Sequence, residues 1–216
     1  MTQASYLYLH GFASSPASRK AGYFVERCAE RGITLRVPDL NVPSFENLTL
    51  SAMIERAVAE VNACPPGPVH VIGSSMGGLV AIHLADRNPG LPISSLLLFA
   101  PAMDFYDNRS QQFGGEGLRR WKETGKQAFA HHSTGSTHEV HYGLVEDILQ
   151  YNTYTTNVIL PTLIFHGFQD EAVDYRQSVR YALPRPLVTL RLLQADHELL
   201  APLPRIWQEV VSFWGI

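Results

Sequence analysis

Short apolar runs alternate along the chain with longer segments in which apolar residues recur every three or four positions. The short runs predict six strands, at residues 5–10, 33–38, 69–72, 94–100, 162–166 and 187–193. The longer segments predict helices at residues 16–31, 48–63, 75–88, 175–183 and 204–214. Several of the strands are apolar on both faces. This pattern is typical of the α/β class, in which helices cover both sides of a mostly parallel sheet.

The first predicted helix carries signals at both of its ends. Ser15 is a candidate N-cap, and Pro16 follows it in the first turn, where a proline is tolerated. Gly32 is a typical residue just beyond a helix C-terminus. We therefore expect this helix to begin directly after Ser15.

Residues 101–160 interrupt the alternation of strands and helices. The segment is rich in glycine and polar residues and holds four histidines. Residues 139–149 are compatible with a short strand or helix, and the remainder predicts a solvated, flexible loop. We therefore expect a single domain over residues 1–216, with residues 101–160 inserted as a small cap between the fourth and fifth strands.

Composition and charge exclude several classes of protein. Hydrophobic residues make up 45% and charged residues 17% of the 216 positions, which is an ordinary globular balance. The net charge of -3 argues against nucleic acid or anionic membranes as partners. We find no signal peptide and no stretch near the roughly 18 apolar residues of a membrane span. We expect a cytoplasmic protein, and no feature of the sequence sets its oligomeric state.

Residues 73–78, GSSMGG, contain the pattern G-x-S-x-G between a predicted strand and a predicted helix. In a nucleophile elbow this pattern exposes the serine at the carboxyl edge of the sheet, and the glycines allow the tight turn. The pattern therefore makes Ser75 the candidate nucleophile, with Ser74 at its variable position. Because a serine hydroxyl is a weak nucleophile, it needs a nearby base and an acid that orients the base.

Two further residues follow predicted strands in the order that such a site requires, with the acid before the histidine. Asp170 comes after the fifth strand, and His197 comes after the sixth. We expect Asp170 to be the orienting acid and His197 the base, with His166 shaping the loop that holds Asp170. Asp174 and Asp104 remain alternative acids.

The negative charge that develops on a carbonyl oxygen during acyl transfer needs backbone N–H donors. The residue after the nucleophile supplies one donor in a nucleophile elbow, and the loop after the first strand supplies another. We expect these donors to be the N–H groups of Met76 and Phe12. The alternative for His10-Gly11 is an ordinary turn that ends the first strand.

The insertion contains two further groups of candidate residues. Its histidines, His131, His132, His138 and His141, allow a metal cluster, but their spacing and the lack of Cys partners favour a loop, and we expect no metal. Its aromatic residues either line an acyl pocket or pack the cap onto the domain. The pocket candidates are Phe105, Tyr106, Phe113 and Trp121.

Four short motifs together resemble those of the α/β-hydrolase superfamily over nearly the whole chain. They are His10-Gly11-Phe12, residues 73–78, His166-Gly167 with Asp170, and Asp196-His197-Glu198. Residues 7–21, LYLHGFASSPASRKA, more specifically resemble the small bacterial YqiA-type esterases. This resemblance implies a fold that begins at the third strand of the full eight-stranded α/β-hydrolase sheet. It also implies a serine-dependent esterase or thioesterase without a cofactor. The insertion is longer than in that compact group, so its substrate preference is not carried over.

The sequence thus predicts a hydrolase that cleaves carboxylic esters through an acyl-serine intermediate. Its expected partner is a small-molecule acyl ester or thioester. A thioesterase acting on acyl-CoA or S-acyl substrates would use the same residues and remains an alternative. A C–C hydrolase or peptidase is less favoured, because no feature dedicated to such substrates is visible. A binding protein with this fold but without catalysis is also less favoured, since no member of the predicted triad is missing.

Overall fold

The computed structural model describes residues 3–131 and 135–216. Within these ranges the strands are β1 (Ser5–Leu9), β2 (Leu35–Arg36), β3 (Val69–Ser74), β4 (Ile93–Phe99), β5 (Lys126–Ala130), β6 (Thr137–His141), β7 (Thr162–Gly167) and β8 (Val188–Leu193). The helices are α1 (Arg19–Ala29), α2 (Leu50–Asn62), α3 (Met76–Arg87), α4 (Phe105–Thr124), α5 (Gly143–Ile148), α6 (Arg176–Ala182) and α7 (Leu203–Trp214). None of these helices is long and apolar enough to cross a lipid bilayer.

Six strands form one parallel sheet in the order β2-β1-β3-β4-β7-β8, which confirms the predicted fold class and its six strands. Leu9 pairs with Gly73 where β1 and β3 end, and Gly167 pairs with Leu193 where β7 and β8 end. The strand order reverses between β1 and β3. In open parallel sheets such a reversal opens a crevice at the carboxyl ends of the strands, where ligands bind.

Both faces of the sheet are mostly buried at its four central strands, β1, β3, β4 and β7, which explains why these strands are largely apolar on both faces. Successive side chains of a strand point to opposite faces. In β1, Leu7 and Leu9 pack into the core that includes α2 and α3, whereas Tyr6 and Tyr8 pack into the core that includes α1 and α7. Trp121 of the insertion belongs to the first of these cores, so the insertion and the sheet share one apolar interior.

Helix α1 begins later than the sequence predicts. Ser18, in an extended conformation, is the N-cap, and its side chain accepts a hydrogen bond from the N–H of Ala21 at 3.4 Å. Ser15 instead accepts from the N–H of Ala17 at 3.2 Å. The prediction that Ser15 caps this helix is therefore wrong, because its hydroxyl closes a local turn before the helix starts.

The insertion contains regular structure that the sequence pattern does not reveal. Helix α4 spans 20 residues, although Gly114 inside it has φ 68° and ψ 168° and breaks the helical path. Strands β5 and β6 pair as an antiparallel hairpin, and α5 follows. The expectation of a flexible loop is therefore wrong for most of the described insertion. Its glycines produce one kink and a left-handed helix end at Gly125, with φ 72°.

Candidate active site

Ser75 lies at the turn between β3 and α3 in a strained backbone conformation, with φ 54° and ψ -117°. A residue with a side chain rarely adopts such a positive φ, and the strain persists only where neighbouring groups hold it. The N–H of Ser75 donates to the carbonyl of Phe99 at 2.8 Å, and the carbonyl of Ser75 accepts from the N–H of Ala102 at 3.1 Å. These bonds tie the turn to the end of the neighbouring strand β4.

Glycines surround Ser75 because the chain approaches itself too closely for side chains. A β-carbon on Gly73 would lie 2.5 Å from the carbonyl oxygen of Gly77, and one on Gly77 would overlap the carbonyl oxygen of Leu9. A β-carbon on Gly78 would lie 2.7 Å from the β-carbon of Pro101. The glycine pattern seen in the sequence therefore has a direct steric cause at the elbow.

His197 lies between Ser75 and Asp170. Its Nε2 is 3.1 Å from the Oγ of Ser75, and its Nδ1 is 2.7 Å from the Oδ2 of Asp170. The Asp170 side chain is fully buried, whereas 23% of the His197 side chain is exposed. Because a carboxylate only accepts hydrogen bonds, the Nδ1 of His197 carries the proton, and its Nε2 is free to accept one from Ser75.

Four donors surround the Asp170 carboxylate. Oδ1 accepts from the N–H groups of Ala172 at 2.9 Å and Val173 at 2.8 Å, and Oδ2 lies within 3.1 Å of ring nitrogens of His166 and His197. Burial acts to raise the pKa of Asp170, but hydrogen bonds from His166, His197 and Val173 outweigh it and hold this pKa well below its usual range. The carboxylate is therefore ionised at neutral pH.

The two alternative acids have other partners. Asp174 is paired with the guanidinium of Arg176 at 3.2 Å, close to its own position in the chain. Asp104 accepts a hydrogen bond from the hydroxyl of Tyr154 at 2.6 Å. Neither carboxylate is hydrogen-bonded to His197 in the described ranges, so the geometry brings Asp170 alone of the three to this histidine.

His166 is completely buried and contacts the loop that contains Asp170. Its Nε2 faces two acceptors, the carbonyl of Val173 at 3.0 Å and the Asp170 carboxylate, and therefore carries a proton. Its Nδ1 is 2.7 Å from the hydroxyl of Ser178, which donates to it. The histidine thus links the strand end, the Asp170 loop and helix α6.

Lys20 is a buried cation beside the elbow that the sequence analysis did not single out. Its ammonium donates to the hydroxyl of Ser74 at 3.1 Å and lies 5.4 Å from the ring centre of Phe99, and the residue is only 8% exposed. Burial lowers its pKa to about 8, although nearby carboxylates oppose this effect. The four-residue spacing of Lys20, Phe24 and Cys28 is the signal that places it on the buried face of α1.

The loop after β1 lies against the nucleophile turn. A β-carbon on Gly11 would be 3.2 Å from the β-carbon of Ser75, and buried His10 anchors this loop by accepting the N–H of Leu40 at 2.9 Å. In the described part of the chain, the backbone N–H groups of Phe12 and Met76 have no hydrogen-bond acceptor. The two predicted oxyanion donors therefore lie in segments that flank Ser75, and both donors are unused.

The four predicted pocket residues lie in different surroundings. The Phe105 ring is 6.0 Å from that of Phe12, in the loop beside Ser75. Trp121 is fully buried, and its indole N–H donates to the carbonyl of Val140 at 2.9 Å. The ring centres of Phe113 and Trp121 are 6.3 Å apart, and Tyr106 is 37% exposed. Contact with a substrate stays a prediction for all four residues, and Phe105 has the position that favours it most.

Two histidines of the insertion, His131 and His138, lie next to each other. The Nδ1 of His138 is 2.7 Å from a carboxylate oxygen of Glu46, and the His131 and His138 rings are 5.9 Å apart. His132 lies outside the described residues. Among the residues that the structure describes, no group of three or more His, Cys, Asp or Glu side chains is arranged to hold a metal ion.

Solved structures share this arrangement of strands and helices. Alpha/beta hydrolase domain-containing protein 10 from mouse is 19% identical to the chain, with a TM-score of 0.81, and the match covers 100% of this chain and 90% of the mouse chain. Est1E from Butyrivibrio proteoclasticus with ferulic acid bound is 21% identical, with a TM-score of 0.82, and 98% and 88% are covered. The chain therefore has the α/β-hydrolase fold.

A comparison with protein families shows to which family the chain belongs. Residues 5–214 match the family described as Uncharacterised protein family (UPF0227), and the chain belongs to this family. Among curated proteins no sequence match was found.

Proposed function

We propose that this protein hydrolyses carboxylic esters of small molecules through an acyl-serine intermediate. The observation that carries the proposal is the position of His197, with one ring nitrogen 3.1 Å from Ser75 and the other 2.7 Å from buried Asp170. A nucleophile, a base and an orienting acid in hydrogen-bond contact are the requirements of serine catalysis. The α/β-hydrolase fold supports the assignment, and the ferulic acid bound to the Est1E neighbour is the kind of small carboxylic acid that ester hydrolysis releases.

In the first half of the reaction, the Oγ of Ser75 attacks the ester carbonyl carbon while the Nε2 of His197 accepts the hydroxyl proton. Asp170 stabilises the imidazolium that forms, because its carboxylate is ionised and accepts the Nδ1 proton. When the tetrahedral intermediate collapses, the bond to the alcohol oxygen breaks. His197 returns its proton to that oxygen, and the acyl group remains on Ser75.

In the second half, water takes the place of the departed alcohol. His197 accepts a proton from the water as its oxygen attacks the acyl carbon. Collapse of this second intermediate breaks the bond to the Oγ of Ser75, which regains its proton from His197. The net reaction consumes one water and releases one alcohol and one acid, and no cofactor takes part.

The negative oxygen of each tetrahedral intermediate needs donors on the side opposite His197. The N–H groups of Met76 and Phe12 meet this need, since neither has another acceptor in the described ranges and both segments adjoin Ser75. Removal of one such donor costs on the order of 3 kcal/mol of transition-state stabilisation in serine hydrolases. The insertion at residues 101–160 acts as a cap in this proposal, and its Phe129 and Phe105 rings lie 4.9 Å and 6.0 Å from the Phe12 ring.

The test compares the hydrolysis of 4-nitrophenyl acetate, butyrate and octanoate by wild-type protein and Ser75→Ala. We expect kcat to fall by at least about 10⁴-fold in this variant with the circular dichroism spectrum unchanged. Ser212→Ala removes an exposed hydroxyl on α7 and should behave as wild type. Wild-type protein that hydrolyses none of these esters, or a Ser75→Ala variant that keeps its rate, would overturn the proposal.

A panel of thioesters then tests whether the protein prefers substrates with an oxygen or a sulfur leaving group. We expect acyl-CoA substrates to be cleaved more slowly than matched oxygen esters, with the released thiol measured by its reaction with a disulfide dye. A higher kcat/KM for the thioesters would assign the same residues to a thioesterase.

A further inference from the structure

Arg109 is a half-buried cation on α4 that the proposed mechanism does not use. Its guanidinium carbon lies 4.9 Å from the ring centre of Phe105, 5.2 Å from that of Phe12 and 5.8 Å from that of Phe129. The charge is therefore enclosed by three aromatic rings, one of which belongs to the loop beside Ser75. Aromatic faces attract a guanidinium, but they accept none of its hydrogen bonds in the directions that a carboxylate does.

Most hydrogen-bond donors of Arg109 have no partner. Nη1 donates to the side chain of Gln112, one turn further along α4. Nε is buried without an acceptor. Nη2 also has no acceptor among the residues that the structure describes, but it is not buried. No carboxylate within the described ranges forms an ion pair with Arg109. Burial alone lowers its pKa to about 10, so the side chain still carries its charge at neutral pH.

A buried charge without a partner is unfavourable, and proteins normally pair or hydrate such a group. Nε and Nη2 form one edge of the guanidinium, but an anion can reach only Nη2, because Nε is sealed from solvent. Nη2 carries two N–H groups that can donate to a carboxylate oxygen, so it is the donor that an anion would use. Phosphate also accepts such a hydrogen bond, but a flat anion fits more readily beside three aromatic rings.

Two chain paths connect Arg109 with the candidate nucleophile. Phe12 follows Gly11, which lies against Ser75. Ala102 donates to the Ser75 carbonyl at 3.1 Å, and α4 begins three residues later, one helical turn before Arg109. The cation therefore lies where the cap meets the Phe12 loop, and this loop adjoins Ser75.

We propose that Arg109 binds a carboxylate of the substrate and so directs the enzyme to small esters that carry a negative charge at one end. This inference rests on the proposed esterase function. The substrate class is small esters that carry a carboxylate, and Arg109 is the residue that selects them. The carboxylate belongs either to the acyl group or to the alcohol, and matched substrates distinguish the two.

The test uses substrate pairs that differ only in charge. The first pair is the 4-nitrophenyl monoester of suberic acid and its terminal amide, with the charge on the acyl group. The second pair is 4-acetoxybenzoate and 4-acetoxybenzamide, with the charge on the leaving group. The ratio of kcat/KM values within each pair, corrected for the uncatalysed rates, reports the preference for the carboxylate.

We expect wild-type protein to prefer the carboxylate in one of the pairs by about 10- to 100-fold, the range for a hydrogen bond to a charged group. Arg109→Met should abolish this preference while retaining turnover of the neutral substrate, and Arg109→Lys should retain part of it. Arg120→Met removes an exposed arginine from the same helix and should leave the preference unchanged. Absence of a preference in the wild type, or its persistence in Arg109→Met, would overturn the inference.

If the protein is not an esterase, it turns over no substrate of either pair, and this result differs from turnover without a preference for the carboxylate. In that case, calorimetric titration of Ser75→Ala with monomethyl suberate and dimethyl suberate still measures the carboxylate site. Tighter binding of the monoester that is lost on adding Arg109→Met supports the inference. Equal binding of the two compounds, or no binding of either, contradicts it.

Discussion

The α-carbon of Gly77 faces the carbonyl oxygen of Leu9 so closely that a β-carbon at residue 77 would overlap this oxygen. Gly77 lies in the first turn of α3, and Leu9 is the last residue of β1. This contact brings the N-terminus of α3 against the end of the neighbouring strand, and it places the Ser75 turn beside the loop that carries Phe12. The elbow and its predicted oxyanion loop are therefore held together by backbone contact.

Substitution of Gly77 tests this contact. We expect Gly77→Ala to destabilise the protein by more than about 3 kcal/mol, because neither backbone segment can move without breaking strand pairing. Urea denaturation measures the loss. Gly90→Ala is the matched control, since no atom lies within 4 Å of its β-carbon position, and its stability should change by less than about 1 kcal/mol. Equal stabilities of the two variants would contradict the steric account.

Replacement of the buried acid tests the role of Asp170. In Asp170→Asn the Nδ1 of His197 meets an amide that is able to donate, so the imidazole loses the tautomer that leaves Nε2 free for Ser75. We expect kcat at neutral pH to fall by about 10³- to 10⁴-fold, as in other serine triads. Ester hydrolysis with 4-nitrophenyl butyrate measures it.

The control for this prediction is Asp174→Asn, which removes the neighbouring carboxylate that pairs with Arg176. Its kcat should remain within about twofold of the wild type, because a surface ion pair contributes little. A larger loss in Asp174→Asn than in Asp170→Asn would reverse the assignment of the acid.

Lys20 gives the stability of the protein a distinct pH dependence. Its pKa is lowered from 10.5 to about 8 in the folded state. Between these two values the unfolded chain binds more protons than the folded chain, so this group makes stability rise with pH across that window. We expect the free energy of unfolding of the wild type, relative to Lys20→Met, to increase by on the order of 3 kcal/mol from about pH 7 to about pH 10.5.

Urea denaturation of both proteins at several pH values measures this difference, in which the other titrating groups cancel. Lys122→Met, at an exposed position of α4, should track the wild type throughout. Parallel curves for Lys20→Met and the wild type would mean that the ammonium keeps its ordinary pKa in the fold.

The sequence predicts those features that depend on local pattern and on chain order. The apolar runs locate all six strands of the main sheet. The four central strands are mostly buried on both faces and therefore carry a nearly continuous apolar signal. The order of Ser75, Asp170 and His197 along the chain, each directly after a strand, predicts residues that the structure then brings within hydrogen-bond distance. Because parallel strands bring their carboxyl ends to one edge of the sheet, residues that follow different strands are predicted to lie close together.

Features that depend on distant contacts are harder to predict. Lys20 meets Ser74, which is 54 positions away, and a lysine on the apolar face of a helix does not by itself indicate that partner. Arg109 lies four residues from both Phe105 and Phe113 on α4, but the glycines of this segment hide the helical pattern. The prediction of the α1 N-cap is wrong for a local reason. Ser15 and Ser18 are equally good capping residues, and a turn from Ser15 to Ser18 makes the helix begin after the second one.

Whether Ser75 is the nucleophile is decided by mass spectrometry of protein treated with a fluorophosphonate. The reagent forms a stable phosphonyl ester only with a serine that a neighbouring base activates. We predict a single adduct that maps to Ser75 after proteolysis and is absent from Ser75→Ala, while the Asp170→Asn variant reacts much more slowly. An adduct on Ser74 or on any other residue, or no adduct on correctly folded wild-type protein, would contradict the proposed chemistry.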